Sequence, residues 1–493
     1  MKQVKLKTLL SGLDYRLENS LVEVDIRGLS SDSRAVRKGY LFVAITGSKL
    51  DGHKFVKQAV KKGASAVILQ QDLALEKEIV KILVPDTKKV LAKLASRFYE
   101  YPSSRVKVIG ITGTNGKTTT SYLLNNILLK KGLSSGLVGT INYCYKDKVI
   151  PAGLTTPGSI ELQSLLGKMA FDNVDYSVIE VSSHSLSQHR IDYIDFDTGI
   201  FTNLTRDHLD YHQTMDNYFE AKARFFESLS SRSKAVINID DPYGRKLINR
   251  TKASVLTYGI DNPADITGQI KNISINGTTF DLKTPNGKLT VEMKLIGKFN
   301  VYNALAAVGA GLSVKMDLAG IAAGLRDFNG VKGRLEKIEA GQNFKVFIDY
   351  AHTDNALENL LCTLGNLKEA KIITVFGCGG QRDVSKRPLM GKVAQQFSDY
   401  VILTSDNPRS ENPLEIINQI KSGMDSRKNN YQSVPERYQA IKQALIRAGE
   451  NDIVVIAGKG HESYQVIGNE KIAFDDSKAV KEILSECLPA KRS

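Results

Sequence analysis

Cysteine is scarce, with four residues in a chain of 493: Cys144, Cys362, Cys378 and Cys487. None has Cys-x-x-Cys spacing, which argues against a disulfide framework and thiolate zinc and fits a reducing cytosol. Long apolar runs are missing as well. No stretch approaches the roughly 18 residues of a membrane-spanning helix. Met1–Ser20 mixes lysines with short apolar pairs and has no signal-peptide core. Internal repeats, coiled-coil patterns and low-complexity tracts are also lacking. The net charge of +14 is spread along the chain, with no basic run interleaved with aromatics. It decides little alone, and suggests small anions (nucleotides, phosphates, carboxylates) over nucleic acid.

What is present reads as an ordinary globular protein, 42% hydrophobic and 24% charged. The length is too great for one core. Turn chemistry at Tyr101-Pro102-Ser103-Ser104 and at Gly330-Val331-Lys332-Gly333 divides the chain into 1–102, 103–331 and 332–493. Strand-like Gly39–Thr46 and Ala64–Leu69 flank helix-like Lys54–Lys62. Further strands are expected at Ser177–Val181, Thr198–Thr202 and Ala235–Ile239, with helical stretches between them. Lys345–Asp349, Lys371–Phe376, Tyr400–Thr404 and Ile453–Ala457 read as buried strands of a smaller domain. This alternation predicts an α/β protein whose mostly parallel sheets bind ligands at strand carboxyl ends.

The most informative stretch is Thr112-Gly113-Thr114-Asn115-Gly116-Lys117-Thr118-Thr119. It follows the apolar run Val106–Ile111 and precedes helix-like Ser121–Lys130, the order of a phosphate cradle. Glycines let backbone N–H groups turn toward phosphates, and a helix N-terminus adds its positive end. Lys117 offers a charge for the β/γ oxygens and Thr118 a hydroxyl for Mg²⁺. The usual first glycine is replaced by Ile111, with Gly110 and Gly113 on either side. ATP or GTP binding is the reading.

Four of the seven histidines fall between residues 184 and 212. Glu180 ends one expected strand and Asn203–His208 follows another, where an oxygen-seeking Mg²⁺ beside a nucleotide would sit. A strand-end glutamate is by itself more often a solvated cap. His208 and His212 stand one helical turn apart, but a metalloprotease His-Glu-x-x-His is absent and no cysteine lies nearby, which argues against zinc.

Taken in order, the phosphate loop, Leu154-Thr155-Thr156-Pro157, Glu180–His184, Asn203–Asp210, Tyr218-Phe219-Glu220-Ala221-Lys222 and Asp349-Tyr350-Ala351-His352-Thr353 resemble the Mur ligase family of cell-wall peptide synthetases. The likeness runs over almost the whole chain. It implies three domains: nucleotide-sugar-binding (1–102), a central ATP-binding phosphate-loop sheet (103–331), and a smaller Rossmann-like amino-acid-binding domain (332–493). It also implies ATP-driven amide formation through an acyl phosphate. Asp32-Ser33-Arg34, Phe42-Val43-Ala44 and Asp406-Asn407-Pro408-Arg409 point to members that add the third amino acid.

By this likeness Gly113, Thr114, Asn115, Gly116, Lys117, Thr118 and Thr119 cradle the phosphates, and Asn303, Arg334 and Asp349 contact adenosine. Without the family, Asn303 would read as a helix cap and Arg334 as a hinge-surface residue. Thr118, Glu180, His208 and Lys222 would hold Mg²⁺, Lys222 as a CO₂-derived carbamate; on pattern alone it is a surface lysine of an amphipathic helix. Ser31, Ser33, Ser48, Lys49, Leu50, Leu154, Thr155, Thr156, Ser182, Gln188 and Arg190 match contacts to UDP-N-acetylmuramoyl-L-alanyl-D-glutamate. Arg387, Asp406, Asn407, Pro408, Arg409, Gly458 and Glu462 match contacts to the amino acid. Arg409 favours meso-2,6-diaminopimelate, whose distal carboxylate it can grip, over L-lysine, which lacks that group. Small-molecule substrates, no nucleic acid, no membrane insertion and a cytoplasmic monomer are expected. The alternatives are a lysine-adding enzyme, a folylpolyglutamate-type ligase, or a nucleotide switch or nucleic-acid ATPase.

Overall fold

The computed structural model describes residues 3–17, 23–47, 50–75 and 79–487. The chain forms two compact units, Met1–Gly110 with Leu133–Gly199 and Arg224–Lys234, and Ile111–Gly132 with Ile200–Ala223 and Ala235–Ser493.

In the first unit a five-stranded sheet runs in the order Arg16–Leu17, Val80–Leu83, Ala64–Leu69, Tyr40–Val43, Gly28–Ser30, parallel but for the first strand. Its strands bury Leu41, Val43, Ala66, Ile68 and Ile82 against helices Leu6–Leu10 and Thr87–Phe98. The Asp86 carboxylate accepts from the N–H groups of Lys88 and Lys89 and starts the latter helix. The expected linker at Tyr101–Ser104 is a 3₁₀ turn, Pro102–Ser104, with Pro102 and Ser103 buried. Later in this unit Ser135–Val138 pairs parallel with Tyr176–Glu180 and antiparallel with Asn142–Tyr145.

The second unit contains the phosphate loop, an antiparallel meander (Ile266–Ser274, Gly277–Thr284, Gly287–Met293) and a six-stranded sheet. That sheet runs Glu336–Ile338, Lys345–Asp349, Ile453–Ala457, Ile372–Phe376, Tyr400–Leu403, Tyr431–Ser433, antiparallel only at its first pair. Ile453–Ala457 is buried throughout, as a central parallel strand covered on both faces must be. Side chains alternate between two cores. Phe347, Phe376, Leu403 and Val455 meet helices Asp354–Gly365 and Lys386–Phe397. Ile348, Val375, Ile402 and Ile456 meet helices Arg437–Arg447 and Asp476–Cys487. Each fully buried aliphatic contributes roughly 1.5–3 kcal/mol. The core thus fixes the carboxyl ends of four adjacent parallel strands, where Asp349, the loop 377–385, Asp406–Arg409 and Gly458–Glu462 emerge. Among the described residues no helix is long and apolar enough to cross a membrane.

Candidate functional site

The phosphate loop is built from strand Lys107–Thr112 and helix Lys117–Lys130. The helix starts at the lysine itself, four residues before the apolar pattern suggests, because Thr118, Thr119 and Thr120 are polar yet buried. Gly113 (φ +151°) and Gly116 (φ +86°) adopt backbone angles that side chains disfavour. A β-carbon on Gly113 would fall 1.9 Å from Thr202 Oγ1, and one on Gly116 2.3 Å from Asn303 Oδ1. Asn203 and Thr205 brace the loop: Asn115 N–H donates to Asn203 Oδ1 (2.9 Å) and Thr205 N–H to Thr114 Oγ1 (3.0 Å). Lys117 Nζ rests on the carbonyl oxygens of Gly113 and Thr114, both at 2.8 Å.

Lys222 lies on helix Met215–Ser228 and is 1% exposed, so it is no surface lysine. Its Nζ donates to Gly113 O (3.0 Å) and stands 4.6 Å from the Tyr218 ring centre. Burial first, and then the nearby charge of Lys117, push its pKa well below the usual lysine value. His208 has φ +54°, and its Nε2 lies 3.3 Å from Asp207 Oδ2; His352 Nε2 approaches the same oxygen at 3.8 Å. Burial alone would raise the Asp207 pKa, but the His352 hydrogen bond and the charges of His208, His352 and Lys386 hold it far below the carboxylate range. His212 is buried and stacks on Tyr218 at 4.9 Å, and its backbone N–H donates to His208 O (2.9 Å). Among the described residues no group of three or more His, Cys, Asp or Glu is arranged to hold a metal.

Asn303 is not the helix cap that its pattern alone suggests. It lies inside helix Lys298–Ser313, buried, and its Nδ2 donates to Asn300 Oδ1 (3.0 Å), so it neither starts nor caps a helix. Nor is Arg334 a loose hinge residue. Its guanidinium covers the Tyr350 ring at 4.3 Å, and Nη2 donates to Thr118 Oγ1 (3.3 Å). Asp349 accepts from the N–H groups of Leu335 (2.6 Å) and Ala351 (2.7 Å); burial raises its pKa against the opposing charge of Arg334.

In the loops after the strands of the six-stranded sheet, Asp406 and Asn407 are buried. Gly458 has φ +109°, and a β-carbon there would sit 2.7 Å from Asp406 Oδ2. Pro408 leads into Arg409 at φ +53°, whose Nη1 donates to Gly380 O (2.7 Å) and Asn407 O (3.4 Å). Among the described residues no carboxylate pairs with Arg409. Burial, and then the neighbouring Arg382, lower its pKa. Arg382 is exposed and was not singled out from the sequence, although it follows Gly379-Gly380 in a strand-end loop. Arg387, which the likeness matches to the amino acid, is packed inside this domain. It is fully buried, with Nη1 donating to Glu411 (2.7 Å) and Gln419 (2.6 Å) and Nη2 to Gly379 O (3.1 Å). Glu462 Oε2 accepts from Asn407 Nδ2 (2.8 Å) and Lys459 Nζ (3.0 Å).

The first unit gathers the remaining residues. Glu180 is fully buried, and its carboxylate accepts from the Thr140 N–H (3.1 Å) and hydroxyl (2.8 Å), so it is not a solvated cap. Thr155 Oγ1 lies 3.2 Å from Thr140 Oγ1, and the Thr156 hydroxyl donates to Glu180 O (2.6 Å). Ser182 N–H donates to Thr156 Oγ1 (3.0 Å), while Arg190 donates to Thr156 O (2.8 Å) and Gln188 Oε1 (2.6 Å). These seven residues share one network: Thr156 bonds Glu180, Ser182 and Arg190, and Thr140, which carries no sequence signal, ties Glu180 to Thr155. Leu154 is half exposed, with its carbonyl held by the Tyr143 hydroxyl (2.6 Å). Ser31 lines a cavity of about 530 Å³ with Asp32, Glu161, Ser164 and Lys168. Ser33 is buried and donates to Gln58 Oε1 (2.7 Å), a fold contact and not a presented hydroxyl. Ser48 and Lys49 lie outside the described residues, and Leu50 is exposed.

Three family profiles match the chain: Mur ligase family, catalytic domain (residues 25–99), Mur ligase middle domain (111–311), and Mur ligase, glutamate ligase domain (333–460). The UDP-N-acetylmuramoyl-L-alanyl-D-glutamate--2,6-diaminopimelate ligase of Caldanaerobacter subterraneus subsp. tengcongensis is 45% identical, covering 98% of this chain and 99% of its own. That of Geobacillus kaustophilus is 43% identical, covering 98% and 100%. A solved structure of an enzyme of that name is 34% identical, with TM-score 0.70, covering 98% and 99%.

Proposed function

We propose that this chain, which belongs to the Mur ligase family, is an ATP-dependent ligase joining meso-2,6-diaminopimelate to UDP-N-acetylmuramoyl-L-alanyl-D-glutamate. The relatives that carry that name align along essentially their whole length. The observation that carries the choice of amino acid is Arg409, half-buried and without a carboxylate partner among the described residues. Diaminopimelate offers a distal carboxylate to that guanidinium. L-Lysine would leave it unpaired, at a cost of roughly 3–5 kcal/mol.

In the reaction a glutamyl carboxylate attacks the γ-phosphorus of ATP, giving an acyl phosphate and ADP. The amine of the incoming amino acid then attacks the acyl carbon and phosphate leaves. Two anions must meet in the first step. Lys117 and the helix start at Lys117 lower that repulsion, and the glycine loop aligns the phosphates. Arg334 and Asp349 would hold the nucleoside. Thr118, His208 and carbamylated Lys222 are the residues of the second unit that would hold Mg²⁺; Glu180 is assigned the same role on family likeness. Mg²⁺ supplies further neutralising charge between carboxylate and triphosphate. The chemistry of Lys222 fits, since burial beside Lys117 disfavours its ammonium form and carbamate formation needs the free amine. Thr155, Thr156, Ser182, Gln188, Arg190 and Ser31 would take the sugar-peptide. We assign the functional domains to 1–102, 103–331 and 332–493, acting as a cytoplasmic monomer.

The test follows phosphate release with UDP-N-acetylmuramoyl-L-Ala-D-Glu and either diaminopimelate or lysine. Turnover with diaminopimelate is expected. Turnover with lysine alone overturns the specificity, and release that ignores amino acids or needs nucleic acid overturns the ligase reading.

A further inference from the structure

Lys459 is fully buried, an expensive place for an ammonium group. Its Nζ lies 3.0 Å from Glu462 Oε2 and 3.3 Å from Asn407 Oδ1, with the Tyr464 ring centre at 5.9 Å. Asn407 completes a triangle: its Nδ2 donates to the same Glu462 Oε2 at 2.8 Å, while its Oδ1 also accepts the Val466 N–H at 2.9 Å. One carboxylate oxygen of Glu462 therefore has two donors. The other, Oε1, has none among the described residues. Glu462 is held in one rotamer, and much of its negative charge is already balanced from within the protein.

We propose that Lys459 is a specificity-determining positioning residue that makes the pocket reject an amino acid whose far end is a bare ammonium. This rests on the diaminopimelate reading above. A substrate ammonium placed on Glu462 Oε1 would meet a carboxylate whose charge Lys459 has partly cancelled, with a like charge behind it. Like charges at such range cost affinity unless a counter-charge accompanies them. The far end of diaminopimelate brings its own carboxylate, which Arg409 can receive, so it enters as a neutral zwitterion. The far end of lysine brings only positive charge. Rejection is thus built from a repulsive element as well as an attractive one, and Lys459 supplies the repulsion while Arg409 supplies the attraction.

The experiment compares kcat/KM for diaminopimelate and for L-lysine in the full-length enzyme with saturating Mg-ATP and UDP-sugar dipeptide. Lys459→Met is expected to shrink the diaminopimelate-to-lysine ratio about tenfold, with KM for ATP unchanged. Lys459→Arg should keep the ratio. Lys459→Gln, which retains a donor to Asn407 without the charge, reads the same ratio should the Met variant lose its fold. A ratio that stays at the wild-type value in the neutral variants, with both amino acids slowed alike, overturns the proposal. A wild-type enzyme that turns over neither amino acid instead overturns the underlying ligase reading.

Discussion

Lys222 Nζ donates a hydrogen bond to the backbone carbonyl of Gly113 at 3.0 Å, tying a fully buried amine to the loop expected to carry the phosphates. A lysine that only packed would gain nothing from this desolvated place. We therefore predict that Lys222→Ala loses about two to three orders of magnitude in kcat. Short carboxylic acids added to the assay should restore part of the activity by replacing the missing oxygens. Unchanged turnover in the variant would remove the carbamate from the account.

Arg409 makes the second prediction. Arg409→Ala should raise KM for diaminopimelate by about two to three powers of ten, leaving KM for ATP as it was. Arg409→Lys should rescue little, because a point charge cannot reproduce a planar two-pronged contact. Steady-state kinetics with each substrate varied in turn decide it.

A third prediction concerns acid stability. The hydrogen bond from Arg387 holds the Glu411 carboxyl below its ordinary pKa, with burial opposing. A carboxyl depressed on folding contributes stability that is complete above its unfolded value, about 4.3, and drains away as pH falls through the lower folded value. Glu411→Gln should lower the urea midpoint at neutral pH and flatten its decline below about pH 5. A decline as steep as wild type would show that the pair contributes nothing.

Gly333 gives the fourth. It has φ +68°, and a β-carbon there would lie 2.1 Å from the His461 nitrogen and 2.2 Å from the Gly460 carbonyl carbon. Gly333→Ala should cost at least about 1–3 kcal/mol, seen as a fall in the thermal midpoint. An unshifted midpoint would mean that the two segments separate freely.

The sequence revealed those parts of the fold that are buried on both sides. Ile453–Ala457 and Lys345–Asp349 read correctly because central parallel strands carry unbroken apolar runs. The meander Ile266–Met293 did not, since its first strand mixes exposed and half-buried polar residues without clean alternation. At the site the phosphate loop was legible because glycine spacing encodes its backbone. The burial of Lys222 was not, because an amphipathic helix does not say which of its faces turns inward. Arg382 and Arg387 stand five residues apart, the first in a loop and the second in the helix that follows, and only the fold shows that the second is committed to Glu411 and Gln419.

The close approach at Gly333 reaches beyond stability. A β-carbon on Gly460 would in turn lie 2.6 Å from Gly333 O, so the two backbones touch with no side chain between them. One neighbour along the chain is Arg334, set against Thr118; the other side leads within two residues to Glu462. There is no soft layer here to absorb a displacement. A displacement at Arg334, which we propose holds the nucleoside, would pass directly to the turn before Glu462, which we propose holds the amino acid, so the two halves of the proposed chemistry would share one joint.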